Sequence, residues 1–256
     1  MPGGRLPVSG TSVWLREANG EDELLVLQDS RPAPATVLEL AGRLAVGADD
    51  APIDWLALPA VELGAAALLI RGAWIGDRIH SESMCPTEGC AEPVDVSFDI
   101  AEFLDYHRPQ RTRAAIQREA GVFTLRDAEV RFRVPTIADM MVAIGHGGTA
   151  LIERCVEPPN ASEAVLRRVD RALESLAPRL DGVLSGTCPG CGHTIALWFD
   201  PVDYVLAELR DACAGLYAQV HDLALSYHWT EQAILALGRR RRNAYVAMIH
   251  GELAVV

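Results

Sequence analysis

Two short segments carry the residues best suited to chemistry. The first reads CPTEGCAEPVDVSFD over positions 85–99, and the second reads CPGCGHTIALWFD over positions 188–200. Each begins with a Cys-Pro turn that contains two cysteines, and each ends in Phe-Asp after a short alternating run. Thiolate is a strong ligand for zinc, and a turn rich in proline and glycine lets two sulfurs approach one ion.

Each turn supplies only two ligands, whereas a structural zinc site needs four. Cys188 and Cys191 form a regular C-x2-C knuckle, and Cys85 and Cys90 form a looser C-x4-C knuckle. We predict that the two turns close on one shared structural zinc ion, one per chain. Such a site has no open position for water, which favours a structural role over hydrolysis.

Other uses of these cysteines stay open. Each knuckle can instead recruit a further ligand, such as His80 or His193, and both turns can be thiols without metal. The separation of the two turns along the chain exceeds the usual spacing of a zinc ribbon. Cys155 and Cys213 lie in apolar helical segments, which predicts buried thiols with no ligand role.

Composition narrows the functional class. The chain has 256 residues, of which 50% are hydrophobic, and a net charge of -12. That charge repels phosphate, which disfavours a nucleic-acid partner. The longest apolar stretch, residues 55–70, contains Pro59 and Glu62 and is short for a bilayer span, and no signal peptide is apparent. We therefore expect a cytoplasmic protein without membrane insertion, in which paired cysteines bind metal more often than they form disulfides.

Familiar catalytic arrangements are missing from the sequence. The run Gly145-His146-Gly147-Gly148 is similar to the oxyanion loop of some esterases, but no G-x-S-x-G elbow accompanies it. No H-E-x-x-H motif and no Walker or dinucleotide-binding loop occurs. We predict that the protein is not an enzyme and takes no small-molecule substrate. An enzyme whose site has no sequence signature is an alternative.

The cysteine turns belong to a longer stretch that occurs twice with weak similarity. Phe98-Asp99 matches Phe199-Asp200, and Thr36 matches Thr136, at a nearly constant displacement of about 100 positions. Each copy is predicted to contain a hairpin, two helices and a second hairpin that carries the cysteine turn.

Local signals assign these elements. Asn19-Gly20 predicts the turn of the first hairpin, and Asp127 lies near the corresponding turn of the second copy. Thr36 and Thr136 each precede an acid by three residues, which is typical of a capping box. The second helix of each copy is predicted over residues 60–75 and 162–176.

A helical tail follows the second copy. A long helix is predicted from Pro201 to Tyr227, Thr230 is suited to cap a short helix, and Gly238 precedes another. The prediction is an α+β fold: a tandem duplication of a hairpin, two-helix and zinc-knuckle unit, followed by a C-terminal helical hairpin. The predicted domains are 1–108 with the C-x4-C knuckle, 120–203 with the C-x2-C knuckle, and the extension 204–256.

One basic run stands out, namely Arg239, Arg240, Arg241 and Arg242. Four charges without interleaved aromatic residues predict at best weak, salt-sensitive binding to nucleic acid. An acidic protein partner suits arginine better. The run can also be the solvated start of a helix.

The C-terminal half resembles a known family. The "CPxCGH" turn leads into Phe-Asp and a long helix, and the pattern Y-x-W-[ST]-E-x-x-I-L-x-L…RRR-x-x-Y includes Tyr227, Trp229 and Tyr245. Both features are similar to proteins encoded in contractile phage-tail-like clusters, which are likened to the baseplate hub assembly chaperones of T-even-type phages. FRVPTIADMMVAI and ALIERCVE also look like the family's middle segment, and the likeness is best over residues 130–249.

The resemblance implies a non-enzymatic, cytoplasmic protein that acts in baseplate or tail assembly of a contractile injection system, or that is incorporated in the particle. Its partners would be other baseplate or tail proteins. We expect Trp229, Tyr245 and the arginines at 239–242 to meet them. The alternative from a different class is a zinc-ribbon binding or regulatory module unrelated to tails.

Overall fold

The computed structural model describes residues 3–119 and 121–251, in which eleven strands and eleven α-helices occur. The strands are β1 (Gly3–Arg5), β2 (Ser12–Leu15), β3 (Ala45–Val46), β4 (Arg78–Met84), β5 (Pro93–Asp99), β6 (Ala115–Glu119), β7 (Val122–Leu125), β8 (Arg131–Arg133), β9 (Val156–Glu157), β10 (Gly182–Thr187) and β11 (Thr194–Phe199). The helices are α1 (Gly20–Gln28), α2 (Ala33–Leu44), α3 (Glu62–Trp74), α4 (Ile100–Tyr106), α5 (Ile137–His146), α6 (Gly148–Cys155), α7 (Glu163–Leu176), α8 (Pro201–Cys213), α9 (Leu216–Tyr227), α10 (Glu231–Leu235) and α11 (Arg239–Ile249). The predicted α+β class is confirmed.

One order of elements occurs twice along the chain. A hairpin is followed by two helices, a short strand that pairs with the hairpin, a third helix, a second hairpin and a fourth helix. Unit 1 runs β1, β2, α1, α2, β3, α3, β4, β5, α4, and unit 2 runs β7, β8, α5, α6, β9, α7, β10, β11, α8. Strand β6 adds an edge to the sheet of unit 2. Descent from a tandem duplication stays a prediction.

The antiparallel pairing of the two units also corresponds. Leu15 of β2 pairs with Ala45 of β3, and Phe132 of β8 pairs with Val156 of β9. All four residues are buried. The short strand that follows the two helices, β3 or β9, therefore points one apolar side chain into the core of each unit. Side chains alternate between the two faces of a strand, so its neighbour points away.

Helix α1 begins where the sequence predicted a hairpin turn, so that prediction is wrong. Asn19 is the N-cap: its side-chain oxygen accepts hydrogen bonds from the N–H groups of Glu21 and Asp22. The carboxylate of Asp22 in turn accepts the N–H of Asn19 at 3.0 Å. Acidic residues after an asparagine favour a helix start, because they meet the free N–H groups and positive end of the helix.

The predicted capping boxes have different outcomes. Thr136 caps α5 as predicted, and Asp139 completes its capping box. Thr36 does not play this role, because α2 begins earlier, with Pro34 in its first turn, and buries Thr36 inside the helix. The structural counterpart of Thr136 is Asn19. The constant displacement read from the sequence therefore fails at this end of the unit.

The remaining helices refine the prediction. The helices predicted over 60–75 and 162–176 are present as α3 and α7, but each unit contains three helices before its cysteine hairpin, not two. The long helix predicted over 201–227 is two helices, because the chain breaks between α8 and α9 at Ala214 and Gly215. Thr230 caps α10, and Gly238 precedes α11, as predicted.

Two apolar cores differ in size. The first core has 27 buried apolar residues, mainly from β2, α2, α3 and α8, and the second core has eight, from the sheet β6–β9 and α7. Helix α8 follows unit 2 in the chain but packs against α1, α2 and α3 of unit 1. Residues 201–213 are thus tied to unit 1, and the three domain boundaries stay predictions.

Candidate metal centre

The four cysteines of the two turns meet at one place. The turn between β4 and β5 carries Cys85 and Cys90, and the turn between β10 and β11 carries Cys188 and Cys191. Their sulfur atoms all lie within 4.8 Å of one another. Two segments far apart in the chain therefore contribute two thiols each to one cluster, and this cluster can bind a metal ion.

The sulfur distances fit a tetrahedral ion. The Sγ atom of Cys85 lies 3.7 Å from that of Cys191, and the Sγ atom of Cys90 lies 3.7 Å from that of Cys188. A disulfide would need about 2.05 Å, so the four residues are free thiols. Four sulfurs bound at about 2.3 Å around a tetrahedral ion are separated by about 3.8 Å. Each close pair joins the first cysteine of one turn to the second cysteine of the other.

Hydrogen bonds within each turn hold the first cysteine in place. The N–H of Cys85 donates to the carbonyl of Glu92 at 2.9 Å, and the N–H of Cys188 donates to the carbonyl of His193 at 2.9 Å. These bonds continue the strand pairing up to the first sulfur on each side. The two hairpins therefore present their thiols on short, closed loops.

Left-handed backbone completes both turns, at different conformational cost. The residue after the second cysteine is Ala91 in the first turn, at φ 43°, and Gly192 in the second, at φ 74°. Glycine adopts this region freely, whereas a Cβ makes it unfavourable for alanine. The wider first turn thus carries strain at a position where the second turn does not.

Apolar contacts beneath the thiols join the two hairpins. Val94 and Ile195 are buried with Cys85 and Cys188 in a small cluster of their own. Nearer the helices, the Phe98 and Phe199 rings pack edge to face with centroids 5.5 Å apart.

The Phe-Asp ends of the two segments are explained by this arrangement. Phe98 and Phe199 pack against each other, while Asp99 caps α4 and Asp200 caps α8 by accepting backbone N–H groups. An aspartate at the N-cap satisfies donors that the helix leaves free. The sequence pattern predicts the matching pair of residues but not its capping role.

The thiols perturb one another's ionisation. Hydrogen bonds from the side chain and backbone of Thr87 lower the pKa of Cys85 to about 6. A bond from the N–H of Glu92 lowers the pKa of Cys90, but the neighbouring thiols, Cys191 first, and burial raise it to about 12. One thiolate therefore suppresses the next. A divalent cation removes this conflict, because each coordinating thiol is then deprotonated.

The structure places neither histidine in the cluster, whose ligand atoms in the described part of the chain all come from cysteine. His193 is exposed and contributes its backbone carbonyl to the turn. His80 lies on β4, where its ring is 3.7 Å from Glu82, and both lie near Asp95 on the exposed outer face of the hairpin.

The arginine run is divided by the fold. Arg242 is buried and donates to the carboxylate of Glu23 at 2.5 Å and to Gln219 at 2.8 Å. Arg239 is half-buried, donates to the carbonyl of Ala212 at 2.8 Å and lies 3.8 Å from Glu23. These two residues hold α11 against α1 and α8. They are therefore not available to a partner, contrary to the expectation from the sequence.

Arg240 and Arg241 remain exposed, and Arg241 borders stacked aromatic rings. The rings of Tyr227, Trp229 and Tyr245 lie with centroids 5.0 to 5.8 Å apart. The guanidinium of Arg241 lies 5.7 Å from the centre of the Tyr245 ring. We call Tyr227, Trp229, Tyr245 and Arg241 the aromatic patch. Tyr227 joins the two aromatic residues expected from the sequence.

Function has to be inferred from the site itself, because comparison with known proteins finds no relative. No family model, curated protein or solved structure matches the chain. In residues 3–119 and 121–251, every helix is too short or too polar to cross a bilayer.

Proposed function

We propose that the four cysteines hold one structural zinc ion per chain, which joins unit 1 to unit 2. The observation that carries this proposal is the meeting of two thiols from each unit within 4.8 Å, with two pairs between the units at 3.7 Å. Soft thiolates favour zinc over hard cations such as calcium or magnesium. Four of them fill every position of a tetrahedral ion, so the metal braces the fold and leaves no place for a catalytic water.

We infer further that the protein is a non-enzymatic assembly factor or component of the baseplate or tail of a contractile phage-tail-like particle. The resemblance of residues 130–249 to proteins of contractile phage-tail-like clusters supports a role in tail assembly. The aromatic patch supports a role in binding other proteins, because tyrosine, tryptophan and arginine concentrate at the energetic centres of interfaces. Baseplate or tail proteins are the proposed partners.

Quantitative mass spectrometry of sedimented sheath-containing particles tests the function, using cells with and without the gene. A fixed ratio of this chain to baseplate proteins in the wild-type pellet would identify a component. Particles that need the gene but lack the chain would identify an assembly chaperone. Normal particles without the gene, and none of the chain in the pellet, would contradict the proposal.

A pair of variants tests the patch. Trp229→Ala combined with Arg241→Ala should reduce particle yield while leaving the metal content unchanged, because Arg241 is exposed, Trp229 is half-buried against Tyr227 and Tyr245, and neither belongs to the cysteine hairpins. Arg111→Ala, which removes an exposed arginine elsewhere, is the matched control. Equal yields from the two variants would exclude the aromatic patch as the partner surface.

A further inference from the structure

An apolar groove of about 700 Å³ lies beside the second core. Its aliphatic lining includes Met140 of α5, Leu151 and Ile152 of α6, and Leu166 and Leu173 of α7. These side chains are half-buried, unlike the fully buried aliphatic residues of α2 and α3. The groove therefore exposes apolar surface of the kind that marks a binding site.

In unit 1, helix α8 covers the three helices that correspond in chain order to those around the groove. Helices α1, α2 and α3, which correspond in chain order to α5, α6 and α7, all pack against α8. Helix α8 presents a buried apolar ridge that includes Val205, Leu206 and Leu209. One amphipathic helix thus closes the three-helix face of unit 1.

Unit 2 has no such cover within the described residues. Helix α4 follows the first cysteine hairpin as α8 follows the second, but it has only seven residues and packs against α3. Both fourth helices therefore lie on unit 1. The groove, which residues of α5, α6 and α7 line together with Ala60 and Val61, is left open.

A charged contact flanks the ridge of α8 and suggests what the groove requires. Arg71 of α3 donates to Glu208 of α8 at 2.9 Å, so a basic side chain of the receptor helix meets an acidic side chain of the covering helix. The rim of the groove, in contrast, carries more acidic than basic side chains. Its ion pairs are Glu163 with Arg167 and Glu174 with Arg179. Asp170 and Asp181 also line the groove, and in the described part of the chain neither forms an ion pair.

We propose that this groove binds an amphipathic α-helix of a partner protein, with an apolar ridge and lysine or arginine along its flank. The inference rests on the proposed function, because it assigns a second contact surface to an assembly protein. The apolar ridge would fill the groove as α8 fills the face of unit 1, and the basic flank would pair with Asp170 and Asp181.

Three synthetic peptides of 16 residues test the proposal against the full, metal-loaded chain by fluorescence anisotropy. The first has leucine at helical spacing and lysine on the flank, the second has the same composition with the spacing broken, and the third has glutamate in place of lysine. We expect the first to bind at least tenfold more tightly than the second and several-fold more tightly than the third. Equal binding of all three, or no saturable binding, would overturn the proposal.

Variants of the groove make the result specific. Asp170→Asn with Asp181→Asn leaves the apolar lining intact and should remove the preference for lysine over glutamate. Leu151→Glu should weaken the first peptide more than tenfold. Arg171→Gln, an exposed change on α7 outside the groove lining, should change neither.

Two further outcomes separate this proposal from its alternatives. An apolar dye that binds the wild type, is lost in Leu151→Glu and is not displaced by the first peptide would make the groove a small-molecule pocket and overturn the proposal. A peptide result of either sign leaves the particle-pellet experiment unaffected, so failure of the groove and failure of the tail assignment are distinguishable.

Discussion

Units 1 and 2 follow the same order of elements, yet the first core has 27 buried apolar residues and the second has eight. Helix α8, which follows unit 2 in the chain, covers the helices of unit 1 and adds Val205, Leu206, Leu209 and Cys213 to the first core. We therefore expect the two units to differ in stability, because an amphipathic helix contributes mainly through what covers its apolar face. We expect unit 2 to depend on the metal and on unit 1 for its order.

The two cysteine hairpins differ in a similar way. Their inner faces both pack toward the thiols, but their outer faces are chemically distinct. On β4 and β5 the exposed cross-strand pair is Glu82 with Asp95, whereas on β10 and β11 it is Val183 with Trp198, 60% and 67% exposed. The shared site constrains one face of each hairpin and leaves the other free to differ.

The largest effect is expected from variants that remove the metal joining the two units. Cys85→Ser and Cys188→Ser lie in different units, and each should release the zinc completely and lower the free energy of unfolding by more than about 4 kcal/mol. Elemental analysis and thermal unfolding check this. His193→Ala should retain the metal. Partial retention in either cysteine variant would indicate separate sites.

The next effect compares the two cores directly. Leu206→Ala in the first core should cost about 3 kcal/mol, and Phe132→Ala in the second about 4 kcal/mol. By hydrogen exchange, Phe132→Ala should lose protection in β7 and β8 while α3 stays protected, whereas Leu206→Ala should affect both units. Simultaneous loss in both units from Phe132→Ala would contradict the expectation that the first core holds its order without the second.

A smaller effect compares the two capping boxes. Asp22 accepts two hydrogen bonds from Arg16, at 2.7 and 2.8 Å, and Asp139 accepts bonds from both Arg133 and Arg154. Asp139→Asn should therefore cost about 2 to 3 kcal/mol, and Asp22→Asn about 1 kcal/mol less. Chemical denaturation measures both values. Equal costs would remove any contribution from Arg154.

The Asp139 difference should depend on pH. The guanidinium of Arg133, helped by Arg154 and Thr136, holds the pKa of the Asp139 carboxyl well below its usual range. A lowered pKa stabilises the fold above the unfolded-state pKa of about 3.9, and this stabilisation is lost as the pH falls toward the folded-state pKa. The gap between wild type and Asp139→Asn should be constant near neutral pH and shrink below about pH 4. A gap independent of pH would contradict the ion pair.

The smallest effect compares the two cysteine turns. Ala91→Gly should raise the free energy of unfolding by about 1 kcal/mol, because glycine removes the strain at φ 43°. Gly192→Ala should lower it by a similar amount. Thermal unfolding of the metal-loaded protein measures both. A loss in Ala91→Gly would mean that the entropy of the unfolded chain outweighs the strain.

Local sequence signals predicted much of the fold. The cysteine hairpins, α3, α7 and the Thr136 cap follow from turn residues, apolar spacing and capping chemistry, which act over a few positions. The prediction at Thr36 is wrong because α2 begins earlier, whereas at Asn19 two local motifs compete. Asn-Gly suits a hairpin turn and Asn followed by acids suits a helix start, and only packing of α1 against α2 and α8 selects the second.

The sequence by itself determined the ligand chemistry and the spacing within each turn, because two cysteines with proline and glycine between them limit the local backbone. Only the tertiary structure decided that the two turns meet, that Arg242 is buried against Glu23, and that α8 covers unit 1 and leaves the groove of unit 2 open. These contacts join residues about 100 or more positions apart. Their free energy comes from burial and pairing in the assembled fold, which no local pattern of residue types records.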